Sequence, residues 1–505
     1  MGPPPLALGA TFAGLVLTLA VGLILARRLA ERPFGMQFAG FCLPLLLFAV
    51  GWISAAFLVE APWHPWIAAR LTPSAALLEG YDLYCARGGG PLNGWIYPPV
   101  FALFFAPVMW IPDLTTSIYA GALLSTASLL VPVFVLLRRA GCRGLSGTVL
   151  FALAWTCIAI ATPTRNMMAG LHVDALAAGL GLLSCSFLVR PGTVLSRGPL
   201  FAAAWLAVLS GWTKQVEAPL LFAQIAYLGL LQGRRSVKVY LLHASLATLA
   251  TGGLFALWFG VREMFFNVLQ VPMKHPYVSF PPVLREMAFL FAPWVALFFA
   301  LGFLVRRRGG PGLLRDHALT LLLLASLFLL PTSFLARAKV GGFINSYHAQ
   351  AYLIVAVVLL LSRFVQGLGE AARGSILGAL ALAALPMLPF GRAWNSCRRL
   401  AEIPSNPQRA ACEFARSHPR EVYFPWFPLA TLRAEGELYH FEWGIHDREL
   451  AGYPLGDEEI RAGLPARLRY VILEDRSRPD ALARLPEFTQ GAEVPELPGF
   501  KAYTR

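Results

Sequence analysis

Long apolar runs separated by short polar connections dominate the chain up to about residue 390. The runs LALGATFAGLVLTLAVGLILA (6–26) and MQFAGFCLPLLLFAVGWISAAFLV (36–59) each approach the roughly 20 residues that an α-helix needs to cross the hydrocarbon of a bilayer. Similar runs recur along the chain. They predict about 12 transmembrane helices, at 6–26, 36–59, 115–137, 147–162, 171–189, 198–212, 217–232, 239–259, 286–305, 318–335, 349–362 and 374–390.

One apolar segment, residues 99–111, is too short for a span. A full crossing there would also place every later arginine-rich connection on the wrong face of the membrane. The segment is therefore predicted to be a re-entrant or interfacial helix.

The pattern changes after about Asn395, where charged residues and prolines interrupt shorter apolar runs. The segments EVYFPWF (421–427) and LRYVILED (468–475) are typical of strands, while PQRAACEFARSHP (407–419) and EEIRAGLPARL (458–468) are typical of helices. We therefore predict a transmembrane domain at 1–394 and a small soluble α/β domain at 395–505.

Composition and charge agree with an all-α polytopic membrane protein. Hydrophobic residues make up 57% of the chain and charged residues 14%, so most of the chain cannot be solvated surface. The chain has a formal net charge of +14, and its basic residues are concentrated in alternate connections between spans. This is the positive-inside pattern of membrane proteins and does not indicate nucleic-acid binding. This pattern predicts that both termini are extracytoplasmic and that the outer connections are 60–114, 163–170, 213–216, 260–285, 336–348 and the segment after about 391.

The first outer loop, 60–114, carries two candidate acids. Glu60 follows an apolar run directly, where a carboxylate facing lipid would be costly. It is either a general base or an interfacial acid paired with water or Arg70. Asp82, flanked by Tyr81 and Tyr84, is either part of a sugar site, where aromatic faces and carboxylates meet sugar rings, or a turn acid.

A second polar cluster lies at later outer helix ends. Arg165, His172 and Asp174 occur close together in PTRNMMAGLHVDALAAG. Asp174 is either functional or a helix cap that interacts favourably with the helix dipole. Lys214, in Thr-Lys-Gln, is either a phosphate ligand or a lysine that extends to the interface.

Two further outer loops are rich in polar and basic residues. Each basic residue is either part of a cationic rim for a phosphate head group or a solvated loop charge. The residues are Arg262, Lys274, His275 and Arg285 in the first loop, and Arg337, Lys339, Asn345, Tyr347, His348 and Gln350 in the second.

The order of these motifs resembles GT-C membrane glycosyltransferases over residues 36–365. The matching features are an acid at a helix end, Gly-Tyr-Asp-Leu-Tyr (80–84), Tyr-Pro-Pro (97–99), Thr-Lys-Gln (213–215) and an Asn-Tyr stretch before a late span. Many members of this superfamily have an Asp as the catalytic acid at the position where this chain has Glu60. The general base of this chain is therefore either Glu60 or Asp82, and Glu60 is preferred.

The resemblance implies an inverting transferase in the inner membrane of a bacterial cell. Its donor is a polyprenyl-phosphate sugar, its acceptor is an envelope glycan, lipid or protein, and membrane lipids surround it. The resemblance implies no cofactor and leaves a divalent metal open. The implied site residues are catalytic Glu60, Asp82 and Asp174; donor-phosphate ligands Lys214, Arg165, Lys274 and His275; and substrate-binding Tyr81, Tyr84, Tyr97, His172, Gln215, Asn345 and His348.

The sequence motifs of ATPases, zinc proteases and α/β-hydrolases are absent from the chain. The chain has no Gly-x-x-x-x-Gly-Lys-Ser/Thr, His-Glu-x-x-His or Gly-x-Ser-x-Gly. A secondary transporter and a non-catalytic envelope-assembly subunit with the same fold remain alternatives. The seven cysteines form no Cys-x-x-Cys, and a disulfide between Cys397 and Cys412 is possible outside the membrane.

Overall fold

The computed structural model describes residues 40, 43, 44, 46, 47, 50, 51, 54, 61–189, 195–307, 315–366, 368, 406–474 and 480–505. The predicted spans 6–26 and 374–390 lie outside these residues, and the span 36–59 is described only at isolated helical positions. Glu60 and Cys397 also lie outside them, so the role of Glu60 and the Cys397–Cys412 disulfide stay predictions.

Helices make up the transmembrane part. Three short helices follow the start of the outer loop: α1 Pro65–Ala69, α2 Thr72–Leu78 and α3 Val100–Phe105. The following helices are α4 Leu114–Arg139, α5 Gly144–Ile160, α6 Thr162–Ala169, α7 Val173–Leu188, α8 Arg197–Thr213, α9 Leu220–Leu231, α10 Arg234–Phe259, α11 Val261–Phe265, α12 Val271–Lys274, α13 Phe280–Arg307, α14 His317–Ala338 and α15 Ala349–Gln366.

Several of these helices can cross a membrane. Within the described residues, α4, α10, α13 and α14 are long and apolar enough, and α5 with α6 adds a fifth crossing if that bent pair is one span. The helices α7 and α15 are apolar but shorter. The chain is thus a multi-pass membrane protein, and the count of about 12 spans stays a prediction.

Two predicted connections contain regular structure. The outer connection 163–170 is mostly the helix α6, which bends by 96° from α5 and has Pro163 in its first turn, a position where a missing N–H is tolerated. The segment 99–111 forms α3 and a 3₁₀ turn, Ala106–Trp110, in agreement with a short helix.

Close helix packing at the centre of the bundle depends on glycines in α7. A Cβ atom at Gly179 would lie 1.9 Å from the carbonyl oxygen of Ser128 in α4. A Cβ atom at Gly181 would lie 2.0 Å from the hydroxyl oxygen of Tyr352 in α15. Small residues let membrane helices approach in this way, so α7 is fixed between its neighbours.

The C-terminal part forms a small α/β unit, as predicted. Its mixed sheet has the order β1-β2-β4-β3, with β1 parallel to β2 and the other pairs antiparallel. The elements are α16 Pro407–Ser417, β1 Val422–Tyr423, α17 Pro428–Glu435, α18 Glu442–Leu450, α19 Asp457–Ala462, β2 Tyr470–Glu474, α20 Asp480–Ala483, β3 Gln490–Glu493 and β4 Phe500–Thr504.

Two of the predicted elements in this unit are shorter than expected. The strand in EVYFPWF covers only two residues, since Pro425 follows and has no N–H for a ladder. The helix in EEIRAGLPARL ends at Ala462, before Gly463 and Pro465. The domain boundary near residue 395 stays a prediction, because residues 369–405 are not described.

The C-terminal unit packs on the outer loop. The guanidinium of Arg433 in α17 donates hydrogen bonds to the carbonyl oxygens of Met109 (2.9 Å), Ile111 (2.6 Å) and Pro112 (2.8 Å). The loop and the C-terminal unit therefore share one face of the molecule.

Candidate functional site

The candidate site centres on Asp174, the second residue of α7. Its side chain is almost completely buried. The Oδ1 atom accepts a hydrogen bond from Lys214 Nζ at 2.7 Å and lies 2.7 Å from His348 Nε2, while Oδ2 accepts from Asn345 Nδ2 at 2.9 Å. The helix N-terminus adds a further favourable interaction. Three side chains from two other segments, Lys214 after α8 and Asn345 with His348 around the 3₁₀ helix Ile344–Ser346, thus converge on one carboxylate.

A second buried acid, Glu217, extends this cluster. His348 Nδ1 lies 2.8 Å from Glu217 Oε1, and the Tyr352 hydroxyl donates to Glu217 Oε2 at 3.2 Å. Both imidazole nitrogens of His348 therefore face carboxylate oxygens, and only an imidazolium can donate to both. The two carboxylates, the Lys214 ammonium and the His348 imidazolium then sum to zero charge.

The electrostatics of the two cations agree with this balance. Burial alone would lower the pKa of Lys214, but the Asp174 carboxylate raises it above its ordinary value. Burial would likewise lower the pKa of His348, and Asp174 and Glu217 together raise it. Lys214 therefore stays protonated at neutral pH, and the two carboxylates favour the imidazolium form of His348.

Local backbone geometry brings these side chains together. Leu171, just before α7, has a φ of 49°, in the left-handed region that non-glycine residues seldom adopt. This turn directs the chain from α6 into α7 and sets Asp174 at the buried helix start. Lys214 follows the end of α8 in an extended conformation, and His348 follows the short 3₁₀ helix Ile344–Ser346.

A half-buried layer of side chains lies beside the cluster. Arg70 Nη1 donates to the Gly170 carbonyl oxygen at 2.5 Å, and the guanidinium interacts electrostatically with Tyr97 and Asp174. Burial lowers the pKa of Arg70 to about 10, so it remains charged at neutral pH. His172 interacts with Arg70 and Asp174, and Lys214 Nζ lies 5.6 Å from the centre of the Tyr97 ring.

An apolar groove of about 350 Å³ opens next to these groups. Its walls come from α8, α10, α11 and the π-helical turn Phe266–Gln270. Pro98 and Gln215, the sequence neighbours of Tyr97 and Lys214, line it. Through these two residues the apolar groove adjoins the charged group formed by Arg70, Tyr97 and Lys214, which we call the mouth.

The structure unites about half of the residues predicted from sequence. Gln215 donates through Nε2 to the Val268 carbonyl oxygen at 3.3 Å and so joins the mouth to the groove wall. The predicted residues in the cluster, its half-buried layer or the groove wall are Tyr97, His172, Asp174, Lys214, Gln215, Asn345 and His348.

Other predicted residues make different contacts. Asp82 is exposed, and no described contact links its carboxylate to Asp174. The Tyr81 hydroxyl lies 3.3 Å from the carboxylate of Glu437, while buried Tyr84 donates to the Tyr97 carbonyl oxygen at 2.8 Å. Both tyrosines therefore fix the loop.

The remaining predicted cations also lie in other settings. Lys274 Nζ lies over the Tyr453 ring, 4.2 Å from its centre. His275 is buried, with Nε2 3.1 Å from the Asp447 carbonyl oxygen. Arg165 is half-buried in α6.

Sequence reasoning missed Arg70, Glu217 and Tyr352 as site residues. Glu217 stands two residues after Thr-Lys-Gln, at the start of an apolar run, which is the same signal that identified Asp174. Tyr352 lies within an apolar run, and a tyrosine hydroxyl there needs a partner. The sequence suggests Arg70 only as a partner of Glu60, because its proximity to Tyr97 and Asp174 depends on the tertiary fold.

Within the described part of the chain, no group of three or more His, Cys, Asp or Glu side chains could hold a metal ion. The charges of the cluster are balanced by Lys214 and His348 instead. At the mouth, Arg70 can bind an anion, and the half-buried Tyr97 and His172 can form hydrogen bonds to a polar ligand.

No protein-family model and no curated protein matches the chain. Among solved structures, ArnT from Cupriavidus metallidurans bound to undecaprenyl phosphate matches with a TM-score of 0.59 and 14% identity, over 92% of this chain and 98% of that one. The apo state of the same protein gives a TM-score of 0.57 and 14% identity, over 89% and 95% of the two chains.

The oligosaccharyltransferase of Archaeoglobus fulgidus matches with a TM-score of 0.45 and 14% identity, over 91% of this chain and 73% of that one. The likeness to ArnT covers nearly the whole of both chains and concerns the fold. The chain therefore has the GT-C fold, as the sequence resemblance predicted.

Proposed function

We propose that the chain is an inverting membrane glycosyltransferase that takes a sugar from a polyprenyl-phosphate carrier on the outer face of a bacterial inner membrane. The observation that carries this proposal is the apolar groove together with the charged mouth that adjoins it through Pro98 and Gln215. A polyprenyl phosphate has the same two parts, a long apolar chain and one anionic head. The solved ArnT structure with undecaprenyl phosphate supports the same ligand class.

In this proposal Arg70 is the main ligand of the donor phosphate. Lys214 is neutralised by Asp174 at 2.7 Å, whereas the one described hydrogen bond of the Arg70 guanidinium uses a single N–H. A guanidinium has five N–H donors, so the others can bind phosphate oxygens. Arg70 then stabilises the phosphate as the leaving group, because negative charge develops on it during transfer.

Sugar transfer would proceed in a single displacement. An acceptor hydroxyl oxygen forms a bond to the anomeric carbon on the face opposite the phosphate, and the bond from that carbon to the phosphate oxygen breaks. The phosphate leaves with the electron pair, and a carboxylate takes the acceptor proton. His172 and Tyr97, half-buried at the mouth, would contact the sugar.

Asp174 is not the base in this scheme. Its two oxygens already face Lys214, His348 and Asn345, so proton uptake would break charge-assisted hydrogen bonds. Glu60 directly precedes the described outer loop, nine residues before Ala69 at the end of α1. We propose Glu60 as the base and Asp174 as the residue that positions Lys214, His348 and Asn345.

The test measures binding of undecaprenyl phosphate to the purified chain in detergent. Arg70→Ala removes the phosphate ligand, and Ala218→Trp fills the groove from an exposed position on its wall. Each change should weaken binding by about tenfold or more.

The matched controls are Arg262→Ala, an exposed arginine, and Leu230→Trp, an exposed apolar position that does not line the groove. Both should bind like wild type. Unchanged affinity in Arg70→Ala and Ala218→Trp would contradict the donor site. Normal binding without transfer from any polyprenyl-phosphate sugar would favour the non-catalytic subunit.

A further inference from the structure

Two cations from distant parts of the chain lie against one aromatic ring. Arg87 Cζ lies 4.6 Å, and Lys274 Nζ 4.2 Å, from the centre of the Tyr453 ring in the C-terminal unit. Arg87 and Lys274 are exposed, and among the described residues neither has a carboxylate within salt-bridge distance. The two positive charges therefore lie at most about 9 Å apart, and an anion bound near the ring would be stabilised by both of them.

Exposed apolar side chains place this pair at the level of the lipid headgroups. The connection from Lys274 to α13 leads directly into a membrane-spanning helix. Apolar and aromatic side chains in and beside this connection are exposed, by 71% for Met273, 47% for Tyr277, 38% for Val278 and 42% for Phe280. Apolar and aromatic residues next to a span are typical of the membrane interface.

The C-terminal unit is firmly attached at this position. The Phe266 ring contacts the Tyr453 ring with centres 5.1 Å apart, and the buried Arg448 guanidinium donates to Asn267 Oδ1 at 2.9 Å. Tyr453 is therefore held beside the segment that carries Lys274. The aromatic ring that both cations contact therefore has a fixed position on the outer face.

We propose that Arg87, Lys274 and Tyr453 form a binding site for the headgroup of an anionic phospholipid of the outer leaflet. The two cations bind the phosphate, and the acyl chains lie in the bilayer beside Met273. A free phosphate would gain nothing from the exposed apolar side chains at 273–280, so a lipid is the better match. This site is separate from the donor site, and it makes no use of the groove or of the Asp174 cluster.

The test compares binding of phosphatidylglycerol and phosphatidylcholine to the full chain in detergent by native mass spectrometry. Wild type should bind phosphatidylglycerol more tightly than phosphatidylcholine. The double variant Arg87→Gln, Lys274→Gln should lose about 30-fold in affinity for phosphatidylglycerol at low salt. The charge-preserving variant Arg87→Lys, Lys274→Arg should retain binding, which shows that the fold tolerates change there.

The matched control is Arg262→Gln, Arg285→Gln, which removes two exposed charges from the neighbouring outer segments. An equal loss in this control would mean general electrostatic attraction and would overturn the site. Equal binding of both lipids by wild type would overturn it as well. If the Arg87 and Lys274 variant loses undecaprenyl phosphate as strongly as phosphatidylglycerol, the pair belongs to the donor site and the proposal is wrong.

Discussion

His348 bridges two buried carboxylates, and this single residue explains how the chain tolerates two acids at 0–1% exposure. A buried carboxylate is very costly unless it is paired and hydrogen-bonded. Here Asp174 and Glu217 share His348, and Lys214 completes the balance. The cluster is thus a neutral unit whose members depend on each other.

Removing one member of this cluster should be destabilising. Asp174→Asn leaves the Lys214 ammonium buried without a counter-ion, which costs about 3–5 kcal/mol. The double variant Asp174→Asn, Lys214→Met removes both charges and should recover part of the loss. Thermal unfolding of the purified proteins measures both effects. If the double variant were less stable than both Asp174→Asn and Lys214→Met alone, the pairing of Asp174 with Lys214 would be contradicted.

Glu60→Gln tests the base. Gln keeps the shape of the side chain but cannot accept the proton, so sugar transfer should fall by about 10²- to 10⁴-fold with donor binding retained. Asp82→Asn is the matched control, since exposed Asp82 has no described contact with the cluster. If transfer is lost in Asp82→Asn and kept in Glu60→Gln, the base is Asp82.

At the scale of elements, the bend between α5 and α6 and the left-handed turn at Leu171 form the site. The 96° bend at the end of α5 lets α6 run across the bundle before α7 begins. Asp174 then lies in the first turn of a helix, where the helix dipole favours a negative charge. A straight span through 147–189 would not present a carboxylate at that position.

Glycine packing of α7 makes an element-scale prediction. Gly179→Ala would place a Cβ atom 1.9 Å from the Ser128 carbonyl oxygen, so α4 and α7 must separate. We expect a loss of about 1–3 kcal/mol in stability, as for other overpacked cores.

The control for this change is Gly253→Ala in α10, where a Cβ atom would meet nothing within 4 Å. Alanine there should be neutral or stabilising, since glycine inside a helix is unfavourable. Melting temperatures of the two variants give the comparison. Equal melting temperatures would contradict the close approach of α4 and α7.

At the scale of the whole molecule, the C-terminal unit covers the outer loop. The Trp66 ring of α1 makes edge contacts with the rings of Trp426, Phe441 and Trp443, at centre distances of 5.9, 5.6 and 5.1 Å. Leu92 N donates to His440 Nδ1 at 3.0 Å. Since α1 also carries Arg70 at its end, this packing positions the proposed phosphate ligand.

Labelling of single cysteines tests this arrangement in the membrane. Ala86→Cys in the outer loop and Glu458→Cys in the C-terminal unit are both exposed, and both should react with an impermeant maleimide in spheroplasts. Arg138→Cys, exposed at the other end of α4, should react only after permeabilisation. The wild-type signal is subtracted. Labelling of residues 86 and 458 from opposite faces would contradict both the structure and the predicted topology.

The sequence alone determined the membrane class, the helix positions of most described spans, the small α/β unit and the GT-C fold. Apolar runs fix helices because each run must satisfy its own backbone in lipid. The helix α8, Arg197–Thr213, lies within one residue of its predicted span at each end. Motif order also pointed to Asp174 and Lys214 as site residues, and the structure brings these two side chains together.

Tertiary structure alone decided which polar residues meet. Arg70, Glu217 and His348 lie 131 to 278 residues apart along the chain, and no local sequence pattern encodes the distances between their side chains. From sequence, Lys214 is predicted to be a phosphate ligand or a lysine that extends to the interface, whereas in the folded chain it pairs with Asp174 at 2.7 Å. The physical reason is that periodicity reports which face of a helix is buried, while charge pairing depends on how several helix ends converge in space.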